Sequence, residues 1–157
     1  MIKLYRRDGD RLLYHEAWIN GRRITEHWGV CPDRGQTKEH SFSRGSAEDE
    51  AIEAVLAAAR KAGYAEIDLD DHARLMIEYR VEGMGSVSDL EKRHALEERM
   101  NETLGWAGIG MCDGGSIGSG TMEVCCYVAD YEIAKKAVIQ DLAGTKFGDY
   151  QRIYREE

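Results

Sequence analysis

Alternating apolar and polar positions in the first forty residues predict a small antiparallel sheet. Four short runs have strand character, at 3–6, 12–19, 22–29 and 37–42. Asn20-Gly21 separates the second run from the third and predicts a two-residue hairpin, because both turn residues tolerate positive φ. The third and fourth runs are joined by a loop over 31–35 that holds the only proline. We therefore predict a meander of four strands.

The pattern then changes to helical spacing. Apolar residues recur three and four positions apart and would form one face of a helix: Ile52, Val55, Leu56 and Ala59. Ser46 is the predicted N-cap, and Gly63 is the predicted stop. We expect this helix to lie across the sheet and to complete a first module over residues 1–66.

A second module is predicted over residues 72–157, after an acidic segment at 67–72. Period-two and helical patterns alternate in the order strand, helix, strand, strand, helix, strand. The predicted strands lie at 75–81, 106–111, 122–128 and 150–154, and the helices begin near Ser88 and Asp130. This βαββαβ order predicts a ferredoxin-like sandwich. The expected fold class is therefore α+β, with an antiparallel sheet and one helix followed by that sandwich.

The first module resembles a WGR domain, a family named for Trp-Gly-Arg on a central strand. The corresponding residues here are Trp28-Gly29-Val30. Further matching features are the opening Lys3-Leu4-Tyr5, Gly35-Gln36-Thr37 after the signature, and an Ala-rich helix that ends in Gly63-Tyr64. The resemblance covers about residues 1–66 and rests on the order of these features rather than on one motif.

The resemblance implies nucleic-acid binding, because WGR domains of DNA-break-activated poly(ADP-ribose) polymerases contact the DNA end. By this resemblance Trp28 would contact the nucleic acid. The basic residues expected beside the phosphates are Arg22, Arg23, Arg34 and Lys38. The signature arginine is replaced by Val30, which cannot form a charge-assisted bond to phosphate. The alternative for Trp28 is a core role, in which it fills space under the helix beside Gly29.

Charge is distributed unevenly along the chain. Residues 1–44 carry nine Lys/Arg and six Asp/Glu, a net of +3, whereas the remainder carries a net of −11. Any contact with nucleic acid is therefore expected from the first module. No apolar run is long enough to predict a membrane span, and no secretory signal is predicted. We expect a cytoplasmic protein that contacts no membrane.

The four cysteines do not predict a metal site or a disulfide framework. Cys125 and Cys126 are adjacent on a predicted strand, so they should point to opposite faces, and no C-x-x-C pair occurs. We expect reduced thiols, no metal and no cofactor. His15 and His27 lie on paired strands and could be neighbours, but no nucleophile, base and oxyanion site can be assembled around them.

The glycine-rich segment 113–120 has two interpretations. Its backbone N–H groups could bind an anion, with Gly114, Gly115, Ser116, Gly118, Ser119 and Gly120 as the site. It lacks a P-loop lysine and precedes a strand rather than a helix, which favours a flexible connecting loop.

Three functions follow from these patterns. The first is a WGR-like binding protein without enzymatic activity, associated with nucleic acid and coupled to a module that meets a protein partner or a second copy. The second is a protein-interaction role alone, as in a regulator or an immunity-type partner. The third is a small-molecule enzyme or sensor that uses the segment 113–120.

Overall fold

A computed structural model of the chain describes residues 1–43 and 45–157. It divides into two compact units, Met1–Asp68 and Leu69–Glu157. The described residues form two antiparallel four-stranded sheets and three α-helices. The predicted α+β fold class is confirmed.

The first unit is an antiparallel meander with one helix. Its elements are β1 (Ile2–Asp8), β2 (Arg11–Asn20), β3 (Arg23–Val30), β4 (Gln36–Ser41) and α1 (Glu48–Lys61). The strands follow the order β1-β2-β3-β4, so each strand pairs with its neighbour in sequence. Gly21 has a φ of 61°, and the pair Asn20–Arg23 closes the predicted hairpin. Both features agree with the turn expected from Asn20-Gly21.

Helix α1 packs on one end of one sheet face. Its buried residues Ile52, Leu56 and Ala59 form a core with Leu4, Ala17 and Ile24 of the sheet. The predicted N-cap at Ser46 is wrong, because the helix is capped by Ala47 without a side-chain hydrogen bond. The first turn instead carries Glu48, Asp49 and Glu50, whose negative charges favour the positive end of the helix dipole.

The second unit has the predicted βαββαβ order. Its elements are β5 (Ala73–Arg80), α2 (Val87–Trp106), β6 (Gly110–Gly118), β7 (Thr121–Val128), α3 (Tyr131–Leu142) and β8 (Arg152–Glu156). The strand order is β6-β7-β5-β8, and each adjacent pair is antiparallel. This is the arrangement of a ferredoxin-like sandwich, with α2 and α3 packed on the sheet and on each other.

Helix α2 differs from its prediction at both ends. Its N-cap is Ser86, in a capping box with Asp89, so the helix begins two residues before the predicted Ser88. The helix also continues through Trp106, so the strand predicted at 106–111 is wrong. The helix stops before Gly108, which takes a φ of 69° that glycine adopts without a steric penalty. Asp130 caps α3 as predicted, since its side chain accepts a hydrogen bond from the Ile133 backbone.

The glycine-rich segment is a strand rather than a flexible loop. Residues 110–118 form β6, and only Ser119 and Gly120, with φ of 52° and 85°, make the turn into β7. Glycine here allows close packing: a Cβ added to Gly115 would overlap the Glu123 carbonyl oxygen. It would also lie 3.1 Å from both Arg93 Cδ and Glu97 Oε1 of α2. The missing side chain therefore lets polar residues of α2 lie against β6.

We expect Gly115→Ala to lower the free energy of unfolding by about 1–3 kcal/mol, because β6, β7 or α2 must shift to admit the methyl group. Gly105→Ala is the matched control: Gly105 lies inside α2 and has open space around its Cα. That change should raise stability by about 0.5–1 kcal/mol through helix propensity. Urea unfolding of both variants measures the difference, and an equal effect would contradict the packing role of Gly115.

Candidate functional site

Helix α1 leaves part of its sheet face uncovered. Strand register places Leu13 opposite Val30 and His15 opposite Trp28 on that face. Arg6 of β1 lies on the same side, and all five side chains are half-buried. The β4 edge adds two exposed polar residues, Gln36 and Lys38. These seven residues are called the Trp28 surface below.

Trp28 is held in a ladder of aromatic rings. Its indole stacks on the His15 imidazole, with centroids 5.7 Å apart and planes 23° from parallel. The His15 ring meets Tyr64 edge-on at 5.8 Å, and the Arg6 guanidinium lies 5.0 Å from the centre of the Tyr64 ring. Arg6 also donates a 3.0 Å hydrogen bond to the Ala62 carbonyl. Trp28 is therefore neither a core residue nor a free side chain, but an oriented ring at the surface.

A carboxylate between two histidines sets the position of this ladder. Glu26 of β3 accepts hydrogen bonds from Nε2 of His15 and from Nε2 of His40, both at 2.6 Å. Partial burial raises the pKa of Glu26, but these two hydrogen bonds outweigh it and hold the pKa below its ordinary value. The bond to Glu26 fixes the ring on which Trp28 stacks.

The structure brings together only some of the predicted site residues. Trp28 and Lys38 share one face, and Arg34 lies in the loop at the same end of β3. Arg22 lies in the hairpin at the far end, and Arg23 points to the opposite face. Trp28 lies five positions along β3 from Arg23, a distance of roughly 16 Å at the usual strand rise. The basic side chains on the Trp28 face are the predicted Lys38 and, in addition, Arg6.

Several residues that form or support the Trp28 surface were not predicted as site residues from the sequence. They come from four strands and from the segment after α1: Arg6, His15, Glu26, His40 and Tyr64. His15 and His27 do not share a face, because the register pairs His27 with Glu16 and leaves the two histidines on opposite faces of the sheet. The sequence holds a His-Glu pair at 15–16 on β2 and a Glu-His pair at 26–27 on β3, which could have indicated His–Glu contacts between these strands. Which histidine meets which glutamate depends on the strand register.

The opposite face carries a buried polar cluster with a structural role. His27 Nδ1 lies 2.7 Å from Glu16 Oε1, and Glu16 Oε2 lies 3.0 Å from Lys3 Nζ. His27 Nε2 contacts the Arg34 carbonyl, while the Tyr14 hydroxyl donates a 2.8 Å bond to the Asp33 carbonyl. Burial, with the nearby Cys31, Glu16 and Asp33, raises the pKa of Tyr14. The cluster fastens the loop 31–35 to the sheet.

Gly29 is required by that attachment. A Cβ at Gly29 would lie 2.8 Å from the Tyr14 hydroxyl and 2.9 Å from Gly35 Cα. Any side chain would therefore separate the loop 31–35 from β3. Within Trp28-Gly29, the glycine holds the loop and the tryptophan faces the other side of the sheet.

The anion loop proposed from the sequence does not take that form. Gly114, Gly115, Ser116 and Gly118 lie in extended β6, paired with β7, whereas Ser119 and Gly120 form a tight turn. The Gly115 carbonyl accepts a 3.3 Å hydrogen bond from Arg93 Nη1. The segment is thus part of the sheet and does not wrap around a ligand as a phosphate-binding loop does.

The open face of the second sheet carries charges that are paired within the unit. Arg152 donates two hydrogen bonds to Glu78, at 3.1 and 2.7 Å, and Tyr154 donates one of 2.8 Å to Glu123. The hydrogen bond from Arg152 is the largest influence on Glu78 and lowers its pKa. The Arg152 guanidinium also lies 4.2 Å from the centre of the Tyr154 ring. Arg152 thus offsets the charge of Glu78, whereas Tyr154 gives Glu123 a hydrogen bond without an opposite charge.

Within residues 1–43 and 45–157, no three His, Cys, Asp or Glu side chains form a group that could hold a metal ion. No helix in the same residues is long and apolar enough to span a bilayer. Comparison with protein-family models, curated proteins and solved structures finds no match to this chain.

We expect Glu26→Gln to lower the melting temperature at neutral pH, because the charged acceptor of two histidine hydrogen bonds is lost. The folded-state pKa of Glu26 lies below the ordinary value of 4.5. Its stabilisation is therefore present above pH 4.5 and is lost as the pH falls through the lowered value. The difference in melting temperature between the native chain and Glu26→Gln should therefore become smaller as the pH falls below 4.5. Thermal melts from pH 3 to 7 measure it, with exposed Glu98→Gln as the control; a pH-independent deficit would contradict this account.

Proposed function

We propose that this chain is a non-enzymatic binding protein whose WGR-like first unit binds nucleic acid at the Trp28 surface. The observation that carries the proposal is the half-buried Trp28, held by His15 on a part of the sheet that α1 leaves uncovered. An indole fixed in this way can stack on a base or sugar without losing further rotamer freedom. Base stacking on an aromatic side chain contributes about 1–3 kcal/mol per base.

Charge around the surface supports a weak electrostatic component. Arg6 and Lys38 lie on the Trp28 face, and Arg34 lies at the same end of β3. Each phosphate contact contributes close to one unit of salt slope, so two or three cations allow a slope of about −2 to −3. The chain has a net charge of −8, which opposes non-specific attraction to a polyanion. We therefore propose micromolar-class, salt-sensitive binding that depends mainly on stacking.

A protein partner or a second copy is the alternative occupant of this surface. Leu13 and Val30 are half-buried and adjacent, so they extend the indole into a small apolar area. Aromatic residues in an apolar area with a polar rim are also typical of protein interfaces. In that case the acidic charge of the chain would favour a basic partner, and no nucleic acid would be bound.

Replacing Trp28 and the basic residues one at a time separates the contribution of stacking to the affinity from the contribution of charge. Trp28→Ala should weaken binding about 5- to 150-fold and leave the salt slope unchanged, because stacking releases no counterions. Lys38→Ala should reduce the slope by about one unit. Arg22→Ala removes an exposed cation at the far end of β3 and should change neither the affinity nor the salt slope. Affinity for short duplexes and single strands, measured from about 20 to 200 mM salt, gives both quantities.

The replaced signature position provides a gain-of-function test. Val30 lies two residues from Trp28 on the same strand face, so Val30→Arg places a guanidinium beside the indole. We expect tighter binding and a slope steeper by about one unit. Val30→Leu, which adds volume without charge, is the control. Absence of binding at the lowest salt, for both the native chain and Val30→Arg, would reject the nucleic-acid proposal and favour a protein partner.

A further inference from the structure

Two cysteines of the second unit face each other across neighbouring strands. Cys112 of β6 is the register partner of Cys126 of β7. The Cys126 thiol is close enough to influence the pKa of Cys112, whose Sγ also lies 3.9 Å from the Gly114 carbonyl oxygen. The register between β6 and β7 shifts directly after Cys112, before Gly114. The backbone N–H of Cys112 donates a 2.9 Å hydrogen bond to Asn101 Oδ1 of α2. This pairing could not be predicted from the sequence, because Cys112 falls in a segment expected to be a loop and only Cys126 falls in an expected strand.

The geometry meets the requirements of a disulfide. Directly opposed residues of an antiparallel pair have Cα atoms about 4.5–5.5 Å apart. Disulfides connect residues with Cα separations of about 4.4–6.8 Å. Both side chains lie on the same side of the sheet because they are register partners. A bond between them therefore needs side-chain rotation but no exchange of strand partners.

The two thiols differ in exposure and acidity. Cys112 is half-buried on the edge strand β6, whereas Cys126 is fully buried. The neighbouring Cys126 thiol is the largest influence on Cys112 and lowers its pKa, outweighing burial and the nearby carboxylates of Glu97 and Asp113. The Cys112 thiol and burial raise the pKa of Cys126. Cys112 is thus suited to react first, since the thiolate is the nucleophile.

We propose that Cys112 and Cys126 form a peroxide-oxidised site that closes into a reversible disulfide. The Cys112 thiolate attacks one oxygen of hydrogen peroxide and the O–O bond breaks, which gives a sulfenic acid and hydroxide. The sulfur of Cys126 then attacks the sulfur of Cys112, loses its proton and displaces water. In total, two thiols lose two electrons and two protons, and one peroxide becomes two waters. A small oxidant of this class suits a half-buried thiol.

The remaining cysteines offer a natural comparison. Cys125 precedes Cys126 on β7 and therefore points to the other face of the sheet. Burial raises the pKa of Cys125, with further contributions from Asp113 and Glu156. Cys31 is buried in the first unit. Oxidation should therefore select one pair among the four cysteines of the chain.

The test is thiol counting on the native full chain before and after hydrogen peroxide. We expect the four free thiols to fall to two and the intact mass to fall by two hydrogens, with both changes reversed by dithiothreitol. Cleavage after Glu102 and Glu123 separates Cys112 from Cys125 and Cys126, so a link between the two peptides shows that Cys112 is one partner, and in Cys125→Ser the other partner can only be Cys126. Cys125→Ser is the matched control and should form the disulfide as the native chain does.

Single replacements of Cys112 and Cys126 separate the oxidation of Cys112 by peroxide from the formation of the disulfide. Cys126→Ser should accumulate a sulfenic acid at Cys112 that reacts with dimedone, whereas Cys112→Ser should keep its buried thiol unmodified. The proposal is overturned if Cys125→Ser forms no intramolecular bond, or if the bond in the native chain joins Cys125 to Cys126. Disulfides that form only between copies, or only after denaturation, would overturn it as well.

Discussion

The register of β2 against β3 determines how the first unit is built. Side chains alternate between the two faces of a sheet, so a slip of one residue would exchange the faces of every residue on β3. The two-residue turn after Asn20 holds this register, with Gly21 at positive φ. With that pairing, His15 meets Trp28 on one face and Glu16 meets His27 on the other. Both clusters would be lost if the turn length changed.

The two clusters have complementary effects on the Trp28 surface. On the open side, Glu26 holds His15, and His15 supports the indole. On the other side, His27 and Tyr14 hold the loop 31–35, which closes the end of β3 near Trp28. Polar contacts inside a sheet protein hold one arrangement when every member has a partner. The indole and the loop beside it are therefore each held by several contacts.

The second unit shows how a strand can resemble a loop in sequence. Strand β6 lies at an edge, carries four glycines over 110–118 and has few side chains to mark its period. Its conformation depends on β7 on one side and on α2 above it, where Arg93 and Asn101 bond to its backbone. The glycines here allow β7 and α2 to pack closely against β6 and do not make the segment flexible. That approach also brings Cys112 to Cys126.

The sequence by itself determined the local elements. Hydrophobic periodicity placed the helices and most strands, Asn20-Gly21 placed the hairpin, Asp130 placed a cap, and the order of elements indicated the ferredoxin-like sandwich. It could not determine the end of α2, the strand at 110–118, the separation of Arg22 and Arg23 from Trp28, or the His15–Glu26–His40 contacts. Only the tertiary structure decided these. Periodicity reports which side of an element is buried, whereas cross-strand register and helix contacts join residues far apart in sequence, and their free energies depend on the whole fold.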